Sequence, residues 1–503
     1  MSNALTALIL ALTTMAPLAA TAQEDQESFD LATMFELGNL VLDTNGDSVP
    51  DLVNASLVLG AAPSVTALAA AAEITARLGF ETMAMDLPIA RGVTDGRVPI
   101  VIGRGGLAAS GLTSPGVDPT SLDAGEGVVA IRSVDDRTWI LVLGGDDEGL
   151  LAGARLFAGV LPHTRTLSTA NLGRVRDDLE GALDVGGVEA SEIRLTQARA
   201  RTGRDGVTRL VAEVAVEDAD ADAAATALRA LADPSGSPSG GDEGPGARTN
   251  DPDADPEDPS PGAEEDPGAD EEGDDDAGED PLAYSGLGSV EVRIAAGATI
   301  RLEGRAEPDR PGPISGRPGS GAKDDLDLSS VYTTDGFLGG GPIPSRVDVK
   351  LVPGDAGVDG LPELAARLGL ESTGLIIPLV EPASSVDRPS SQPTMVLAGT
   401  ENPLTDQLAD SGLIDIESLG AGEGLIQFVP SAFGDMPAFV ITGADETGAA
   451  RALEQVAISF PNLSDRGKDR PTVDDVEKEL WDVLAGHAPV GQAAAGLYKL
   501  DRI

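Results

Sequence analysis

Two stretches of this chain carry the same landmarks in the same order, about 290 to 300 residues apart. That repetition limits the possible folds more than any other feature. Asn54–Val58 answers Asp348–Val352, and Ala76–Thr82 answers Ala366–Ser372. Pro88 answers Pro378, and Pro99–Gly103 answers Thr394–Gly399. Gly125-Glu126-Gly127 answers Gly422-Glu423-Gly424, and Ile140–Gly145 answers Phe439–Gly443. The expectation is one domain present twice, at 23–163 and 330–463.

Each copy reads as strands alternating with helices. In the first, a short apolar run at Ser56–Leu59 leads to an amphipathic helix over Val65–Leu78, with Gly79 as its stop. Strands are expected near Val98–Ile102 and Gly127–Arg132. Asp135-Asp136 then turns the chain into a strand at Trp139–Leu143, and a helix over Glu148–Val160 closes the unit. This order predicts an α/β fold: two duplicated α/β sandwich domains, each a sheet covered by helices. Between them, 186–306 reads as a small α+β domain. Glu192–Ala200 and Thr208–Val216 pair as strands, a helix follows over Ala221–Leu231, and two more strands lie at Val290–Ala295 and Thr299–Leu302.

Inserted in that middle region is an acidic stretch at 233–281. Residues 251 to 280 hold sixteen acids and no base. Such a composition buries too little apolar surface to offset chain entropy and is expected to be disordered. A Pro- and Gly-rich linker follows at 307–329, and 464–503 reads as a helical C-terminal tail.

The N-terminus reads as a signal peptide over 1–22, with an apolar stretch from Leu5 to Leu18 and a small-residue cleavage site at Ala20-Thr21-Ala22. The expected location is periplasmic or secreted, and no later run is long enough to span a membrane. With 34 basic and 84 acidic residues the net charge is −50, which argues against nucleic acid as a partner. The chain has no cysteine, so disulfides and thiolate metal sites are excluded. Its two histidines, His163 and His487, offer little for a zinc centre or a Ser-His-Asp triad.

The sharpest local motif is Asp43-Thr44-Asn45-Gly46-Asp47-Ser48-Val49-Pro50-Asp51. Asp43, Asn45, Asp47 and Asp51 stand at positions 1, 3, 5 and 9 of a loop, with the Val49 carbonyl at 7. That spacing wraps oxygens around Ca²⁺ and resembles the loops of EF-hand and dockerin-type modules. Ser48 stands where such loops carry Gly, and Asn54 where they carry Glu. The second copy has Gly339, Gly341 and Ser345 at the equivalent places and lacks the ligands. The turns Gly144–Gly149 and Gly443–Gly448 join a strand to a helix. Their acids repel phosphate, so Asp146 and Asp445 read as helix caps. Trp139 reads as core, and Trp481 is a second aromatic surface for a sugar ring.

The run from Trp139 to Ala154, an apolar strand, Gly-x-Asp-x-x-Gly and an Ala-rich helix, resembles the non-catalytic α/β domain that precedes the barrel in β-hexosaminidases and α-glucuronidases. Gly125-Glu126-Gly127 is similar to the approach to that domain, with Val128 in place of its tyrosine. A comparable arrangement is found in the periplasmic subunit of bacterial cellulose synthase. The resemblance implies a domain without catalytic residues. The expected function is therefore an exported non-catalytic binding or scaffold protein, with envelope glycan or envelope protein as partner. The alternative is an accessory region or partner of a secreted glycosidase or peptidase.

Overall fold

The computed structural model describes residues 29–135, 137–159, 181, 192–202, 208–217, 289–294, 299–302, 331–333, 336–340 and 344–459. The expected signal peptide, the helix expected at Ala221–Leu231, the acidic stretch at 233–281, the expected linker and C-terminal tail, both histidines and Trp481 lie outside these residues.

The architecture is α/β. In the first unit β1 (Val41–Leu42) and β2 (Leu52–Val53) pair antiparallel across the acidic loop. Next come β3 (Ala55–Val58), α1 (Val65–Phe80), β4 (Val98–Ile102) and α2 (Gly103–Ser110). Then come β5 (Glu126–Val134), β6 (Arg137–Gly144) and α3 (Asp147–Ala158). β3, β4 and β6 run parallel, and β5 is antiparallel to β6. Every residue of β3 is buried, as suits a parallel strand covered on both faces. Trp139 is buried in the sheet, as its strand position implies.

The strands expected to form a separate middle domain instead extend this first sheet. β7 (Glu192–Thr202) pairs antiparallel with β5, matching Glu126 to Arg201 and Ala130 to Gln197. β8 (Thr208–Glu217), β9 (Ser289–Ile294) and β10 (Thr299–Leu302) follow outward. The physical reason is the edge of β5. An apolar edge strand leaves a row of backbone groups to be met, and β7 meets them. β7 also carries Leu195, Ala198 and Ala200 into the core of the first unit.

The second unit has β11 (Leu338–Gly340) and β12 (Pro344–Val347) as an antiparallel pair. β13 (Val349–Pro353), α4 (Leu361–Leu370), β14 (Thr394–Ala398) and α5 (Pro403–Asp410) follow. β15 (Gly424–Phe433), β16 (Met436–Gly443) and α6 (Glu446–Glu454) complete it, and α6 ends in a π-helical turn over Gln455–Ser459. Its sheet order is β13-β14-β16-β15, with the same strand senses as β3-β4-β6-β5.

The two units meet along α1 and α4. α1 is buried continuously from Thr66 to Gly79, as a central helix must be. Ser64 caps its start by accepting from the Ala67 N–H at 3.2 Å. Gly79 does not stop this helix, contrary to the sequence reading: the helix continues to Phe80 and is capped at Glu81. The glycine serves the crossing instead. A Cβ on Gly79 would lie 2.0 Å from the Ala366 carbonyl oxygen, and one on Gly369 would lie 2.0 Å from that of Ala76. Around the crossing, Thr75 donates to the Pro362 carbonyl at 2.6 Å. Arg77 lies 4.3 Å over the Phe35 ring and bonds Glu81, and Arg367 lies 4.4 Å over the Tyr332 ring and bonds Glu371.

Candidate functional site

In the acidic loop, Asp43 accepts from the backbone N–H groups of Asn45 (3.1 Å), Gly46 (2.6 Å) and Ser48 (2.7 Å). Burial pushes its carboxyl up, but these amides and that of Asp47 together hold it below the usual value. Asn45 accepts from the Asp47 N–H, and Asp47 from the Val49 N–H, both at 2.9 Å. Asp51 accepts from the Thr44 N–H and hydroxyl, each at 2.9 Å. Asn54 turns away and donates to the Asn39 carbonyl at 3.1 Å. The five expected ligands thus share one loop, where each of the four side chains meets the loop's own donors. Among the described residues no group of three or more His, Cys, Asp or Glu is placed to hold a metal ion. Ser48 adopts φ 67°, the left-handed conformation that the sixth position of a calcium loop requires.

The two glycine-flanked turns cap their helices. Asp146 accepts from the Gly149 N–H at 2.8 Å, and Asp445 from the Gly448 N–H at 2.9 Å. Each also accepts an amide from the loop before the antiparallel strand, Gly125 for Asp146 and Gly422 for Asp445. These four bonds tie the start of α3 and of α6 to the neighbouring loop. Asp146 and Asp445 thus act as the helix caps that their place in the turns implies.

A cleft of about 390 Å³ opens where the two units meet. The first unit supplies Leu57, Leu59, Gly60, Pro63, Leu68, Pro88, Arg91 and Gly92. The second supplies Asp359, Gly360, Glu363, Ala450, Glu454 and Ile458. Its polar centre is an ion pair between units: an Arg91 Nη is 2.5 Å from Glu363 Oε1. The Arg91 side chain is 40% exposed and that of Glu363 is 4% exposed, so the acid sits at the bottom and the guanidinium nearer the mouth. Glu363 lies in the first turn of α4, where the helix dipole favours a negative charge.

None of these cleft residues is marked by the sequence as a binding residue. Arg91 and Glu363 are 272 positions apart, so no local pattern joins them. The retrievable signal was the match of Glu73 to Glu363, each six residues before the glycine of its helix. An acid kept at the same place in two apolar helices asks for a partner.

No family model matches this chain, and no curated protein matches it. Among the described residues no helix is long and apolar enough to cross a membrane.

Proposed function

We propose that this is an exported, non-catalytic binding or scaffold protein for cell-envelope carbohydrate. Its two α/β units are copies of one domain, and it binds in the cleft between them. The cleft carries the reading. It joins apolar walls to a few convergent polar groups, as small-molecule sites do. Its charged pair is an arginine and a carboxylate already bonded to each other, and the lining residues include no histidine and no serine to run a nucleophilic hydrolysis. The likeness of Trp139–Ala154 to the accessory domain of glycosidases supplies the carbohydrate.

The proposal keeps Ca²⁺ at Asp43, Asn45, Asp47, Asp51 and the Val49 carbonyl, supported by the spacing of these residues and the left-handed Ser48. A glycan array probed with the full chain, with Ca²⁺ and with EGTA, tests both parts. The expected result is saturable binding to envelope glycans, stronger with the ion. An array blank under both conditions contradicts the carbohydrate reading, and equal binding under both contradicts a role for the ion in it.

A further inference from the structure

Glu73 and Glu363 stand at matching places on α1 and α4, but their surroundings differ. Glu73 is wholly buried and satisfied. Its Oε1 accepts from the Val380 N–H at 3.1 Å and its Oε2 from the Leu379 N–H at 3.0 Å, while Arg155 lies 3.6 Å from Oε1. Glu363 is 3% exposed, and Arg91 meets its Oε1. Its Oε2 is buried and has no hydrogen-bond partner among the described residues. A buried carboxylate oxygen without a donor is costly, and here it belongs to a residue that lines the cleft.

Charge and shape decide what can supply the donor. Three acidic residues, Glu363, Asp359 and Glu454, and one arginine, Arg91, line the cleft. The excess is negative, so an anion is repelled and a cation attracted. Leu59 and Ile458 give the same cleft an apolar wall. We infer that the cleft takes a protonated primary amine on a short apolar stem, with an ammonium N–H donating to Glu363 Oε2. The Arg91 pair holds the other oxygen, and the stem lies along Leu59 and Ile458. This rests on the reading of the cleft as a binding site, independently of the carbohydrate, and names a charged group that the cleft would accept. A free amine and the lysine side chain of an envelope peptide present the same group.

Calorimetric titration of the full chain at low salt tests it, with n-butylammonium and Nα-acetyl-lysine amide as probes and n-butanol and butyltrimethylammonium as controls. Both primary ammonium probes are expected to bind saturably if the stem alone is recognised, and only the second if a peptide backbone is needed. The controls are expected to bind at least tenfold more weakly, because one lacks the charge and the other the N–H. Glu363→Gln should weaken the ammonium probes at least tenfold with an unchanged melting curve. Should that variant fail to fold, Glu454→Gln at the exposed rim should still weaken them two- to threefold. Equal binding of n-butanol overturns the amine but leaves the cleft as a site. Binding of neutral envelope glycans without either ammonium probe does the same. Ammonium binding untouched by both substitutions overturns the assignment to Glu363.

Discussion

Gly79 and Gly369 sit inside helices, where glycine costs roughly 0.5–1 kcal/mol relative to alanine. The chain accepts that cost because each lets the facing backbone approach, with Ala366 or Ala76 where a Cβ would be. Gly369→Ala is therefore expected to destabilise rather than stabilise, by about 1–3 kcal/mol from overpacking. Urea denaturation reads this, and an unchanged midpoint would mean the helices cross more loosely. Glu73→Ala should cost more. It leaves the Leu379 and Val380 amides buried and unpaired, each worth about 1–3 kcal/mol. At Asp445, the Gly448 amide and then the Gly422 amide hold the carboxyl below its usual value. Its contribution is complete above the unfolded carboxylate range and fades as pH falls through the depressed folded value. The stability gap between wild type and Asp445→Asn should accordingly be present at pH 7 and close in strong acid. A gap constant from pH 7 to pH 2 contradicts the assignment. The two aspartate caps were legible in sequence because a cap bonds three residues onward. Gly79 was misread because a helix stop and a close crossing leave the same local trace. The partners of Glu73 were not legible, since the two amides lie 306 and 307 positions away.

At the scale of elements, the strands at Val98–Ile102 and Trp139–Leu143 were readable as apolar runs between turn residues, and both form. α2 was missed because Gly103, Gly105 and Gly106 mask its periodicity. The attachment of β7 to β5 could not be read, because pairing depends on which edge is open and not on either strand alone. The two units make the contrast visible. Val128–Ile131 on β5 are buried beside β7, whereas the matching Leu425–Phe428 on β15 are only partly buried. Among the described residues no strand covers the outer edge of β15. The outward amides of β15 should therefore exchange with solvent far faster than those of β5 that bond to β7. Equal protection would show that β15 is covered too. The acidic loop makes a separate prediction. If Ca²⁺ binds the folded loop, millimolar Ca²⁺ raises the melting temperature relative to EGTA, and Asp47→Ala abolishes the rise. Identical melting curves for the wild type under the two conditions would leave the loop a self-capped turn.

At the scale of the molecule, the repeated order of landmarks pointed to two sheets, and the strand orders agree. What the pattern could not supply is how the units meet, because the junction rests on side chains that see each other only after both have folded. The cleft follows from that junction. Leu59 lines it from the first unit and is partly buried against the apolar cores of both units, so a larger side chain there is expected to fill the cleft. The most direct test loads the purified full chain with a digest of envelope glycans, washes it, and identifies what is retained by native mass spectrometry, for wild type and for Leu59→Trp. A non-catalytic cleft retains a defined carbohydrate in the wild type, releases it chemically unchanged after prolonged incubation, and loses it in the variant. Retention that survives Leu59→Trp, or release of a cleaved product, would contradict the account.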